Sequence, residues 1–296
     1  MEGIGKRTRA DVPVQFTFPD MLPYPEDNTP PFEDWLYKNI ASGEVLGNRL
    51  YLPVCWTSYY KRYNYGKNQA AINQLQYFLN TLDKTQKYWT VIQNDDGILN
   101  DISHLDCKVF SMSGKPVGSE QLPLVCQPHR FLFPNIKKDI LCSFVGRITN
   151  PIRKNLINIW NGNDFYLKKD CYVSCHHHSL EEYCKILARS MFVLCLPGYG
   201  FNSFRVCESL QYGAFPTILQ DVSHPPIFER QTPFSIYDYS GKILMEDINM
   251  WLNYMVVQKE KRPSLHLEGA KKAYENYYTF PSVKKYILNK LAEECN

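Results

Sequence analysis

The stretch Met191–Gln220, MFVLCLPGYGFNSFRVCESLQYGAFPTILQ, decides the fold. An apolar strand leads through Pro197-Gly198-Tyr199-Gly200 into a short helix, and past Gly213 the chain enters a second apolar strand. Asn202 or Ser203 stands where a helix wants an N-cap, and Gly213 where a left-handed residue ends it. Phe204, Cys207 and Leu210 share one helical face and can dock on a sheet, while Arg205, Glu208 and Tyr212 share another. Two buried strands joined by a helix make a parallel βαβ unit. Open sheets of such units bind ligands beyond the carboxyl ends of their strands, where this helix begins.

That position suits an anion. Free N–H groups and the positive end of the helix dipole favour phosphate, and Arg205 adds a full charge one turn in. Glu208 can then accept hydrogen bonds from ribose hydroxyls, as acidic residues do in other nucleotide folds. The plainer alternative is a capped surface helix whose Arg205–Glu208 pair is worth about 0.2–0.5 kcal/mol. A second block, Ile140–Trp160 (ILCSFVGRITNPIRKNLINIW), repeats the logic. A strand ends at Gly146, Arg147 follows, and Pro151 opens a helix bearing Arg153 and Lys154. Cations placed against the dipole of a helix start call for an anion, and can neutralise a leaving diphosphate as a metal would.

Working outward, strand patterns at Trp89–Gln93, Cys107–Phe110, Leu122–Gln127 and Phe234–Tyr239 alternate with helical ones at Phe32–Ala41, Lys67–Asp83, Ser179–Arg189, Met245–Val257, Leu267–Tyr277 and Ser282–Glu294. The alternation predicts an α/β protein. At 296 residues the chain exceeds one core of about 100–150 residues and predicts two domains, with the junction in the proline-rich Pro123–Asn135. A composition 44% hydrophobic excludes a disordered chain. The formal net charge of +3 is too near neutral for a dedicated nucleic-acid binder. Neither a signal peptide nor a run of roughly 20 apolar residues is present, so a cytoplasmic protein without a membrane span is expected. Ten cysteines without a repeated spacing read as reduced, buried thiols.

Together the two blocks resemble the exostosin family of glycosyltransferases, family 47. The matching residues are Ser143-Phe144-Val145-Gly146-Arg147, Ile152-Arg153-Lys154, Pro197-Gly198, Ser203-Phe204-Arg205, Glu208, Leu210-Gln211, Gly213 and Pro216-Thr217-Ile218-Leu219. The match is specific over residues 122–220 and faint before them. The short form is similar to members from bacteria or large DNA viruses of algae, in which case the location is the host cytoplasm.

The resemblance implies a GT-B fold, two Rossmann-like domains facing a cleft. Residues 1–125 would be the acceptor side, 126–278 the donor domain, and 279–296 a helix crossing back to the first. It also implies a UDP-sugar donor, with xylose the marginal choice, a glycan acceptor, and inversion without a required metal or other cofactor. By carry-over Arg147 and Arg153 lie near the diphosphate, Tyr199, Asn202, Ser203 and Arg205 hold phosphate or sugar, and Glu208 holds the ribose.

Inversion in one displacement needs a base for the acceptor hydroxyl. Asp95 and Asp96 follow the strand at Trp89–Gln93, and adjacent carboxylates raise one another's pKa. Asp-Asp-Gly is also a turn signal. Asp101 and His104 are the fallbacks. For the acceptor, Val54–Tyr65 (VCWTSYYKRYNY) offers rings on which sugars stack, Trp56 and Tyr59 foremost, although a core strand with surface tyrosines or a single-stranded nucleic-acid platform fits the same residues. Cys171, Cys175 and His176-His177-His178 suggest zinc, but Ser179 and Glu182 form a capping-box pattern there instead. A non-catalytic glycan-binding or scaffold partner is the alternative to an enzyme.

Overall fold

The computed structural model describes residues 9–17, 30–41, 48–112, 120–162, 170–200, 202–220, 241–244, 250, 253, 256–257 and 263–294. The strand expected at Phe234–Tyr239 lies outside them, as does most of the helix expected at Met245–Val257. The chain divides into two compact units: residues 1–127 with 280–296, and residues 128–279. Among the described residues no helix is long and apolar enough to cross a membrane.

The first unit carries a parallel sheet of β1 (Leu50–Tyr51), β2 (Lys87–Ile92), β3 (Asp106–Ser111) and β4 (Glu120–Gln121), neighbours in chain order. Only the start of β2 is exposed; Tyr88 to Ile92 are buried without alternation, the mark of a strand covered on both faces. Its helices are α1 (Val14–Thr17), α2 (Phe32–Asn39), α3 (Trp56–Arg62) and α4 (Gln69–Asn80). Asn68 caps α4 by accepting from the Ala71 N–H at 3.3 Å. The core gathers Phe16, Leu52, Trp56, Tyr59, Leu75, Tyr88 and Ile92.

The second unit holds β5 (Ile140–Val145), β6 (Cys171–Ser174), β7 (Ser190–Cys195), β8 (Phe215–Gln220) and β9 (Gly241–Leu244), all parallel, in the order β6-β5-β7-β8-β9. All six residues of β5 are buried. Its helices are α5 (Pro151–Gly162), α6 (Leu180–Arg189), α7 (Arg205–Gln211) and α8 (Pro263–Tyr277). Leu141, Phe144, Leu156, Leu194 and Leu196 form the core between sheet and helix.

The last helix, α9 (Phe280–Glu293), belongs to the first unit. Phe280, Val283, Ile287 and Leu291 bury one face of it, each worth about 1.5–3 kcal/mol over exposure. Phe280 meets the Phe32 ring edge-on at 5.2 Å, and Lys284 Nζ donates to the Asn39 carbonyl at 2.6 Å. Beyond the helix, Glu294 bridges Arg49 and Lys108, each at 2.7 Å.

Candidate functional site

The strand order of the second sheet reverses once, while every strand stays parallel. The chain leaves β5 for β6 on one side and returns to β7 on the other, so the loops after β5 and β7 flank a crevice at the carboxyl ends. After β5 come Gly146, Arg147 and Asn150. Asn150 Oδ1 accepts from the Ile152 N–H at 3.0 Å, capping α5 just before Pro151, whose missing N–H costs nothing at that position. Asn150 Nδ2 also donates to the Gly198 carbonyl at 3.2 Å, tying this loop to the one after β7.

Arg153 strengthens that tie. Its guanidinium is buried and donates to the carbonyls of Pro197 (2.8 Å), Arg147 (2.9 Å) and Leu196 (3.3 Å). Burial, then the neighbouring Arg205 charge, bring its pKa down to about 10. Arg205, half-buried, donates Nε and Nη2 to the Val145 carbonyl at 2.8 and 2.6 Å. Both guanidinium groups lie over the Phe144 ring, at 5.9 Å for Arg153 and 5.3 Å for Arg205. Gly146 leaves the space Arg205 occupies: a Cβ there would collide with Arg205 Nη2. Two cations held this close repel, and an anion between them would relieve that cost.

Glu208 lies one turn further along α7 and is buried. Its Oε1 meets His129 Nε2 at 3.2 Å, and its Oε2 accepts from the Tyr183 hydroxyl at 2.6 Å. Burial pushes the carboxyl up, yet the His129 and Tyr183 contacts, with Arg205 nearby, hold it below its ordinary value. The helix ends as expected: Gly213, at φ +62°, donates to Leu210 at 3.0 Å while Ala214 donates to Ser209 at 2.9 Å, closing a Schellman motif. Its start corrects the expectation. Phe204, not Asn202 or Ser203, occupies the cap, and Ser203 Oγ reaches the Arg205 N–H only at 3.4 Å. With seven residues, α7 offers a weak dipole, so positive charge here rests on arginine rather than on the helix end.

Residues 113–243 match the family model of the Exostosin GT47 domain. This segment is exostosin-like. Ribitol-5-phosphate xylosyltransferase 1 of Danio rerio is 32% identical over 173 residues, 53% of this chain and 38% of that protein. The Homo sapiens protein of that name is 34% identical over 97 residues, 29% of this chain and 21% of its own. The chain thus spans well under half the length of these relatives. The solved structure titled "Crystal Structure of TarM" aligns with 74% of this chain and 53% of its own at 12% identity and a TM-score of 0.42.

Within the exostosin-like segment the structure brings together Arg153, Arg205 and the backbone of Arg147 at the reversal of the sheet. The Arg147 side chain is exposed, and Asn202 and Ser203 are buried beside the start of α7. Tyr199, 87% exposed, projects from the loop after β7. Sequence reasoning missed His129 and Tyr183, which hold Glu208 from 79 and 25 residues away. No local pattern signals such contacts. Asn150 was readable, since Asn before Pro is a cap signature. In the Cys171–His178 run, His178 Nε2 pairs with Ser174 Oγ at 2.9 Å, and Ser179 and Glu182 complete the capping box in both directions.

The remaining expected residues precede the exostosin-like segment. Asp95 is half-buried and Asp96 exposed, in the Asn94–Gly97 turn at the carboxyl end of β2, where the Gly97 N–H donates to the Asn94 carbonyl at 3.0 Å. Asp101 Oδ1 accepts from the Ser103 N–H at 2.9 Å, and His104 Nε2 lies 3.3 Å from the Leu79 carbonyl. Trp56 and Tyr59 take a different role from the one expected. Both are fully buried in the core: Trp56 Nε1 donates to Thr90 Oγ1 at 2.9 Å, and the Tyr59 hydroxyl to the Ala71 carbonyl at 2.7 Å. They present no face on which a sugar can stack.

A buried acid pair went unread. Glu33 accepts from the Thr57 N–H (2.8 Å), the Thr57 hydroxyl (2.7 Å) and the Gln93 N–H (2.5 Å). Burial, then the Asp34 charge, push its carboxyl up to about 8. Asp34 accepts from Ser58 Oγ at 2.7 Å, and burial raises it to about 6.

Proposed function

We propose that this protein transfers a sugar from a UDP-sugar to a hydroxyl of a glycan by single displacement with inversion. The observation that carries the reading is the change of strand order between β5 and β7, with Arg205 fixed on the Val145 carbonyl in the space Gly146 leaves. Arg205 and the exposed Arg147 would meet the diphosphate, and Asn202 and Ser203 would line the same loop. Arg153 would shape the pocket chiefly by joining its two walls, because it is buried and gives three of its five N–H groups to carbonyls. Glu208 would accept the ribose hydroxyls, and Tyr199 offers an exposed ring to the base or sugar. These cations would neutralise the leaving diphosphate, so no metal is required in this reading.

Xylose is the donor sugar supported by the names of the relatives, and ribitol 5-phosphate belongs in any acceptor panel for the same reason. Asp95 or Asp96 would serve as base for the acceptor hydroxyl. A second reading, a non-catalytic glycan-binding or scaffold partner, draws on one observation: Arg153 and Glu208 already serve partners within the chain.

A thermal-shift panel of UDP, GDP, CMP and several UDP-sugars, with and without chelator, separates the two. A ligand at 100 times its dissociation constant adds about 2.7 kcal/mol. The enzyme reading expects a UDP-selective rise that survives the chelator; no rise with any nucleotide leaves the scaffold. Asp95→Asn should then abolish transfer with UDP affinity unchanged, and retained transfer moves the base to Asp96 or elsewhere.

A further inference from the structure

The chain enters the second unit at residue 128, and its first residues there are fastened to the end of α7. Gln211 Nε2 donates to the His129 carbonyl at 3.3 Å and the Tyr212 hydroxyl to the Phe131 carbonyl at 2.8 Å. Lys138 Nζ donates to the carbonyls of Ala188, Ser190 and Tyr212 at 3.1, 2.8 and 3.0 Å. The His129 side chain is buried, stacked on the Tyr212 ring at 6.3 Å with planes 15° apart and edge-on to Tyr183. So confined, the ring has little rotational freedom, and its Nε2 is delivered to Glu208 Oε1.

A carboxylate has about four lone-pair positions. Among the described residues His129 takes one on Oε1 and Tyr183 takes one on Oε2, which fixes the plane of the group and leaves one position on each oxygen for a ligand. Two acceptor positions on one rigid carboxylate match the vicinal hydroxyls of a ribose. We propose that His129 is a positioning residue for nucleotide recognition: it orients Glu208 so that the carboxylate tells a ribonucleotide from its 2′-deoxy counterpart. The inference rests on the assignment of Glu208 to the ribose and extends it to a residue that touches no ligand. The charged and titratable groups around the carboxylate are His129, Tyr183 from α6, Arg205 from its own helix and Cys195 from β7.

The test is calorimetric titration of the full chain with UDP and with 2′-deoxy-UDP. The wild-type protein should prefer UDP by about tenfold or more, the worth of a hydrogen bond to a charged group. His129→Leu should lose that preference, its UDP affinity falling to the 2′-deoxy level. His129→Gln, whose amide nitrogen reaches the place of Nε2, should keep it. In transfer assays the Leu variant should raise the donor KM with kcat nearly unchanged, whereas a merely structural loss would lower the active fraction and leave KM alone. Should the Leu variant not fold, His129→Asn replaces it, since its shorter amide falls short of Oε1 and should also lose the preference. Equal wild-type affinities for the two nucleotides would remove the ribose assignment and this inference together. A wild-type preference that persists in His129→Leu or His129→Asn, or that His129→Gln loses, would overturn the inference alone.

Discussion

The two sheets are parallel throughout their described strands, yet they treat their carboxyl ends in opposite ways. In the first, β1 to β4 follow chain order; in the second, the order turns back at β5 and β7. At that reversal stand the buried Arg153 and the half-buried Arg205, whose donors face carbonyl oxygens, with the buried Glu208 carboxylate one turn further along α7. At the end of β2 the buried group is a carboxyl of the chain itself, Glu33, which burial keeps protonated at neutral pH. Glu33 accepts from the strand-end N–H of Gln93 and from Thr57 in the first turn of α3. The first unit thus fills its strand end with an acid of its own, whereas the second places arginine there.

The largest expected effect lies at Arg153, which holds the two loops of the second unit together. Arg153→Ala strands carbonyl groups of both loops and should cost the second unit on the order of 3–5 kcal/mol. Amide exchange resolved by residue should show lost protection in β5 and β7 with the first unit unchanged; equal loss in both units would deny that the clamp is local. Gly146→Ala is next. Its Cβ must displace the Arg205 guanidinium, so UDP affinity should fall roughly tenfold or more while the melting temperature holds.

The acids sharpen the contrast through pH. Glu33 holds its proton more tightly folded than unfolded, so its contribution is full below 4.5 and is lost as pH rises through about 8. Asp34 has the same sign between 3.8 and about 6. Glu208, held low, does the reverse: its contribution is full above 4.5 and is lost as pH falls. Unit-resolved melting between pH 5 and 8 should show the first unit weakening as pH rises, and Glu33→Gln should flatten that slope. A wild-type first unit indifferent to pH would contradict the buried-acid account. The smallest effect is a matched pair: Asn68→Ala in α4 and Ser179→Ala in α6 should each cost about 1 kcal/mol by denaturant titration.

Local chemistry explains what the sequence made legible. Gly213 ends α7, Ser179 and Glu182 box the start of α6, Pro151 opens α5, and β5 spans Ile140–Val145 as read, because each depends on residues within one or two turns. The strand expected at Leu122–Gln127 is absent: those residues are irregular, and the pairing is made just before them by the two residues of β4, too few to leave a periodic trace. Val54–Tyr65 was misjudged for a different reason. Trp56, Tyr59, Tyr60 and Tyr63 recur at helical spacing, but aromatic residues favour strands and also suit ligand faces, and that composition hid a buried helix. In the site, the cations were legible because they lie beside strand ends; the Glu208 cradle was not, because its parts meet only in the folded chain.

The first unit is sewn from two lengths of chain, residues 1–127 and 280–296, with the whole of the second between them. A ribosome delivers these pieces in order. While the second unit is being made, Phe32 and Trp35 must wait for Phe280, which stacks edge-on against both. The half that is synthesised first is therefore the half that finishes last, and a released chain ending before Phe280 would lack the ring that covers Phe32 and Trp35.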